Sequence, residues 1–245
     1  MRQVNTESSN LFLCLRGRQS KPRLKLINHF KMIHIKAFYF NDLRECSYVL
    51  WDETKECVFI DPGCYSESEK ERLVKFVEAN SLKPVKLLNT HGHFDHIMGN
   101  AFVAGKWNLE TYIHASDKPH LARAQQYTEM FGYKIEQPPQ NTIDVSDGSE
   151  VKFGMSTLKV LHTPGHTKGG VCYYSEDDKI VITGDSLFSG SIGRTDLPGG
   201  DYEELMESLL GKILKLGDDY TVYPGHGPAT TIGHELATNP FLRYE

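Results

Sequence analysis

The sequence lacks several features that would each fix a class at once. No apolar run among its 245 residues approaches the ~20 needed for a membrane-spanning helix. The five cysteines (Cys14, Cys46, Cys57, Cys64 and Cys172) contain no C-x-x-C pair. An odd, scattered set speaks for free thiols in a reducing compartment, and so for a cytoplasmic protein, rather than a disulfide framework. No excess of basic residues exists either. The formal charge is −5, which gives no sign of a nucleic-acid or membrane partner. The N-terminal apolar run, residues 11–15, is too short for the core of a secretion signal, and no small-residue cleavage site follows it.

What is present is unevenly spread. Residues 1–31 carry seven Lys/Arg and one acid, Glu7, leaving 20 bases against 31 acids and a net −11 for the remainder. Regular patterning begins near Met32. Residues 1–31 are therefore expected to form a loosely ordered N-terminal extension, and 32–245 a single domain.

Within that domain, strand-like stretches are expected at 33–40, 46–51, 57–60, 85–88, 111–113, 150–153, 158–161, 171–174, 180–182 and 221–223. Helical spacing occupies 66–80, 97–106, 117–131 and 201–216. The polar turn at 52–55 makes a hairpin of 46–51 and 57–60, which Asp61-Pro62-Gly63 ends. Residues 171–185 repeat this order of strand, polar turn, strand and Asp, with Glu176-Asp177-Asp178-Lys179 as the turn. The echo fits a duplicated β unit with helices outside, a four-layer α/β/β/α sandwich.

The chemistry concentrates in Thr90-His91-Gly92-His93-Phe94-Asp95-His96, directly after one strand. Four buried polar side chains need partners, and a metal supplies them. His91 and His93, two apart in extended backbone, point to the same side. Asp95 and His96 fall where the chain turns into a helix and aim elsewhere, so one pair suits one ion and the other pair a second. Three further segments place a ligand-type residue in a Gly-containing turn after a strand: Thr163-Pro164-Gly165-His166, Thr183-Gly184-Asp185 and Tyr223-Pro224-Gly225-His226.

These motifs, in this order, resemble those of the metallo-β-lactamase superfamily, and within it the hydroxyacylglutathione hydrolase (glyoxalase II) group of short, single-domain type. The resemblance runs from about Ile33 to the C-terminus on T-H-G-H-F-D-H, H-T-P-G-H-T, T-G-D-S-L-F and Y-P-G-H-G. It implies the αββα metallo-β-lactamase sandwich. It also implies a first metal on His91, His93 and His166, a second on Asp95, His96 and His226, and Asp185 bridging both. Nitrogen and oxygen ligands suit two divalent ions, zinc first, with iron or manganese as alternatives. The catalytic residues it implies are Asp95 and Asp185.

Two ions roughly 3.5–4 Å apart can share a water whose pKa falls toward 7. The implied reaction is attack of this bridging hydroxide on a small-molecule thioester such as S-lactoylglutathione. A thiolate, with a reference thiol pKa of ~8.5, leaves with little help from an acid. Arg194, in Gly193-Arg194-Thr195-Asp196, falls where relatives place the base that holds a glutathione carboxylate. Two departures from full-length glyoxalase II are visible. Only 19 residues follow His226, so its C-terminal helical domain is not expected, and G-R-T-D replaces a Lys followed by aromatics. G-R-T-D also occurs in the persulfide dioxygenase branch, which makes an iron-dependent dioxygenase the alternative, with a lactone or other small-ester hydrolase as a third reading. His162, opening the H-T-P-G-H-T turn, is a candidate brace for a ligand; the other histidines outside the motifs read as structural, and Cys172 as buried packing.

Overall fold

The computed structural model describes residues 32–243, so the expectation for residues 1–31 lies outside the described residues. Six strands lie side by side in chain order: β1 (His34–Phe40), β2 (Glu45–Trp51), β3 (Glu56–Ile60), β4 (Lys83–Leu88), β5 (Thr111–His114) and β6 (Thr142–Val145). The first three are antiparallel and the last four parallel. Parallel neighbours require crossovers. α1 (Glu67–Ala79) provides the first, and α2 (Phe94–Ile97) with α3 (Asn100–Trp107) the second.

The second sheet holds β7 (Glu150–Phe153), β8 (Ser156–His162), β9 (Val171–Ser175) and β10 (Ile180–Gly184). A short hairpin of β11 (Leu187–Phe188) and β12 (Ser191–Ile192) follows, and then β13 (Thr221–Pro224) and β14 (Thr230–Thr231) complete the sheet. The order is β14-β13-β10-β9-β8-β7, with β10 and β13 parallel.

Strand alternation sets the layers. Tyr48, Leu50 and Ile60 of the first sheet share one buried cluster with Leu158, Val160, Tyr173 and Ile182 of the second. Their neighbours point outward. Val49, Phe59 and Leu87 pack on Leu73 and Val77 of α1 and Val103 of α3. Cys172, Val181 and Val222 pack under Leu205 and Leu209 of a later helix. The result is the expected αββα sandwich.

The sequence reading differs in places. The helix expected at 97–106 is two helices, the first starting inside the histidine motif. Gly99 separates them, packed so closely on Cys64 and Pro62 that no Cβ fits there. The stretch 117–131 breaks at Arg123 into α4 (Lys118–Ala122) and α5 (Ala124–Met130). The stretch 201–216 is α6 (Tyr202–Gly211), capped by Asp201, followed by a 3-10 turn at Ile213–Lys215. Edge strand β6, two-residue β14 and α7 (Ile232–Thr238) were not expected; they are short, and only one residue of β6, Val145, is buried.

The internal echo is real. Hairpins β2–β3 and β9–β10 occupy matching positions, because β3 and β10 each pair antiparallel with one neighbour and parallel with the next. Asp61 and Asp185 each follow directly on those second strands.

Candidate metal centre

The ligand-type residues arrive on loops leaving strands at one end of the sandwich. His91 follows β4, His166 follows β8, Asp185 follows β10 and His226 follows β13. His93 is the extended N-cap of α2, whose single turn aims Asp95 and His96 back toward the same centre. Three sets of ligand-type atoms each lie within 4.8 Å of one another: His91, His93 and His166; Asp95, His96 and His226; and Asp61, His91 and His96, in which Asp61 sits on the outer side of the imidazoles. Asp185 stands between the first two sets. Its Oδ1 is 3.3 Å from His96 Nε2, and its Oδ2 is 3.4 Å from His166 Nε2 and 3.7 Å from His226 Nε2. All seven expected residues therefore meet in one place.

The hydrogen bonds around the imidazoles settle which nitrogen faces the centre. His166 Nδ1 lies 2.7 Å from the Arg194 carbonyl, which only accepts, so Nδ1 carries the proton. His96 Nδ1 donates to Asp61 Oδ2 at 3.0 Å. Thr90 Oγ1 gives its proton to Asp61 Oδ2 at 2.5 Å and thus accepts from His91 Nδ1 at 3.0 Å. In each case Nδ1 is taken up by this outer partner and Nε2 is the nitrogen turned inward. Nε2 of His91, His96 and His166, and Oδ1 of Asp185, are buried with no hydrogen-bond partner. Leaving a buried polar group unpaired costs roughly 1–3 kcal/mol. Four such atoms around one space fit divalent cations, which bind deprotonated nitrogen and oxygen donors.

The electrostatics agree. Burial, reinforced by the neighbouring His96, His93 and His166, pushes His91 far below the ordinary imidazole range. Burial, with His166 beside it, pushes His93 down to about 3. Burial opposes ionisation of Asp185, yet His96, His166 and His226 hold its carboxyl well below the usual carboxylate range. His96 runs the other way: burial opposes its charge, yet Asp185, Asp95 and Asp61 hold it well above the ordinary imidazole range. A cation bound beside these carboxylates would take the place of its proton, while His91 and His93 stand ready as neutral donors.

Three supporting residues were missed by the sequence reading. Asp61 holds Thr90 N at 2.7 Å as well as the contacts to Thr90 Oγ1 and His96. The signal was the echo that pairs Asp61 with Asp185. Asp117, fully buried, accepts from Gly92 N at 2.8 Å, Thr167 Oγ1 at 2.8 Å and Gly169 N at 2.7 Å, tying the His91–His93 loop to the loop that carries His166. Glu45, also fully buried, takes Ser47 Oγ at 2.8 Å and lies 3.9 Å from His96 Nδ1; burial raises its carboxyl well above the usual range. Nothing in sequence spacing marks Asp117 or Glu45.

Gly184, at φ +50°, makes the turn that delivers Asp185, and a side chain there would strike Thr90. Gly225 leaves no room for a Cβ beside Asp185 and His96.

Two expectations need adjustment. His162 does not brace a ligand. Its Nε2 bonds the Lys168 carbonyl at 3.0 Å and its ring stacks on His114 at 4.2 Å. Arg194 reaches the site through its backbone, while its guanidinium makes two bonds to Asp196, at 2.7 and 2.8 Å. Cys172 is buried, as expected, and burial pushes its thiol up to about 12.

The centre forms the floor of a cleft of about 490 Å³. Leu43, Phe94, Tyr127 and Phe131 line it together with Phe188, Ile192, Arg194 and Leu197. Among the described residues no helix is long and apolar enough to cross a membrane.

A paired His/Asp centre at the end of an αββα sandwich defines a metallo-hydrolase. The family model for the metallo-beta-lactamase superfamily matches residues 42–226, and the chain belongs to that superfamily. It is 36% identical over 216 residues to hydroxyacylglutathione hydrolase GloC of Haemophilus influenzae, covering 87% of this chain and 98% of that protein. Among solved structures it is similar to TTHA1623 in a di-iron-bound form, with a TM-score of 0.76 and 38% identity over 84% of this chain and all of that one. The B3 metallo-beta-lactamase BLEG-1 also superposes with a TM-score of 0.76, at 35% identity, covering 85% of this chain and 99% of its own.

Proposed function

We propose that this hydrolase cleaves a thioester such as S-lactoylglutathione, using two divalent ions held by His91, His93 and His166, and by Asp95, His96 and His226, with Asp185 between them. The observation that carries the reading is the set of inward-facing, unpartnered Nε2 atoms around Asp185. Similarity to GloC supports the thioester, and similarity to a di-iron form keeps iron beside zinc as the resident metal. Buried free cysteines accord with a reducing, cytoplasmic setting.

Bound ions supply Lewis acidity and a water acidic enough to ionise near neutral pH. The protein's own part is positional. The Asp95 carboxylate, 3.1 Å from His226 Nε2, faces the cleft and can orient a water for attack on the substrate carbonyl. Asp61, Thr90 and the Arg194 carbonyl fix the imidazoles before substrate arrives, which lowers the cost of organising charge during reaction. The Arg194 guanidinium holds a carboxylate of the thiol half in place of Asp196. That exchange is cheap, since an ion pair standing in water is screened and contributes little.

The test is thioester hydrolysis by metal-loaded protein, with a chelator-treated control. Release of thiol that vanishes with the metal and returns on its replacement is expected. A metal-replete protein inert toward thioesters, yet consuming oxygen with glutathione persulfide, would replace this reading with the dioxygenase.

A further inference from the structure

The cleft above the metal centre carries chemistry that a small, polar hydroxyacyl group does not use. Its apolar lining comes from two parts of the chain: Leu43, Phe94 and Phe131 from the segments around the first sheet, and Phe188, Ile192 and Leu197 from the segment after β10. Phe94 and Phe131 stack at 4.9 Å with planes 16° apart, making a continuous aromatic face. Phe94 belongs to the histidine motif itself and is the immediate neighbour of Asp95, so this face begins at the reacting centre. The wall is also left to solvent: Phe131 is 61% exposed and Leu43 46%. Large apolar side chains that line a cleft while remaining in water gain by being covered. Arg194 is the one cation lining the cleft among the described residues, and Asp196 neutralises it at the rim.

We infer that the cleft selects thioesters with an apolar acyl chain of medium length or an aryl acyl group, which lies along the Phe94–Phe131 face while the thioester carbonyl rests on the floor. This rests on the hydrolase reading above and names its substrate class. Water adds its oxygen to the carbonyl carbon, the C–S bond breaks, and the sulfur leaves with the electron pair and takes a proton. The products are a carboxylic acid, ionised at neutral pH, and a free thiol.

Burying one methylene is worth roughly a fourfold change in an equilibrium constant when burial is complete. Partial cover along an open wall gives roughly two- to fourfold. The experiment is a chain-length series on one uncharged thiol: acetyl, butanoyl and hexanoyl thioesters of N-acetylcysteamine, assayed with metal-loaded protein. The uncharged thiol removes any contribution from Arg194. From acetyl to hexanoyl, four methylenes, kcat/KM is expected to rise by roughly 16- to 250-fold. Phe131→Ala removes an exposed side chain, so the fold stays intact. It is expected to flatten the dependence on chain length, read as a fall in the hexanoyl-to-acetyl ratio of kcat/KM. A merely structural defect would lower all three substrates alike.

A flat or falling series, with thioesters still hydrolysed, overturns the inference and leaves the hydrolase reading standing. An unchanged slope in Phe131→Ala, with wild-type slope present, overturns the placement on this wall. Absence of hydrolysis of every thioester by protein that holds its metal overturns both.

Discussion

Asp61 Oδ2 receives two protons that matter to the centre, from His96 Nδ1 at 3.0 Å and from Thr90 Oγ1 at 2.5 Å. Through Thr90 the same oxygen also fixes His91. One carboxylate thus sets the orientation of two imidazoles, one in each proposed metal set, without occupying either set itself. The Asp61→Ala variant is expected to lose metal affinity by about 10–100-fold, the usual consequence of removing such a partner. Competition against a chromogenic chelator measures this. Unaltered affinity would show that packing alone orients the rings.

Asp117 works on the backbone. It closes three hydrogen bonds, and two of them come from the buried N–H groups of Gly92 and Gly169. Asp117→Ala leaves those donors unpaired at roughly 1–3 kcal/mol each. A loss of about 3 kcal/mol lowers Tm by roughly 6–12 °C in a chain of this size. The loss is expected to be accompanied by weaker metal binding at the proposed set His91, His93 and His166, since Asp117 joins their loops. Thermal denaturation together with metal analysis checks both. A normal Tm with full metal would remove Asp117 from the account.

Arg194 separates the two halves of the substrate. Arg194→Ala keeps the carbonyl that orients His166 and removes the side chain that carries the guanidinium. KM for glutathione thioesters is expected to rise several-fold with kcat little changed, because binding shared by ground and transition states is lost. KM for N-acetylcysteamine thioesters should stay put. Steady-state kinetics with the two thiol series decide it. Equal effects on both series would mean that Arg194 does not read a carboxylate.

The strands and ligand turns were legible because each has a local signature. An apolar run ending in Gly and His, or in Gly and Asp, is visible within five residues; three segments show it beside the histidine motif, and together they pointed to a centre. The hairpin echo at 46–61 and 171–185 was legible for the same reason, and it foretold the layered sandwich. What escaped was set by contacts far apart in sequence. Asp117 meets partners 25, 50 and 52 residues away, and Glu45 approaches His96 across 51 positions that no pattern links. The break at Gly99 is likewise steric, imposed by Cys64 and Pro62, while the helical spacing of the sequence runs through it undisturbed. Arg194 was read as a side chain, but its backbone oxygen makes the contact to a ligand residue, and sequence motifs do not report backbone roles.

Asp185 is the joint of the proposed centre. Asp185→Asn removes the negative charge that faces His96, His166 and His226. Activity is expected to drop by orders of magnitude and metal content to fall with it. Elemental analysis and turnover of the same sample check this. Near-normal turnover at full occupancy would rule out a bridging role.

The most direct test is a titration of metal-free protein with zinc, and separately with ferrous iron, following thioester hydrolysis against equivalents added. The account predicts that hydrolysis of S-D-lactoylglutathione or an acyl-N-acetylcysteamine rises until two equivalents are bound per chain and then levels off. Saturation at one equivalent of iron, with oxygen uptake on glutathione persulfide and no thiol release from thioesters, would contradict it.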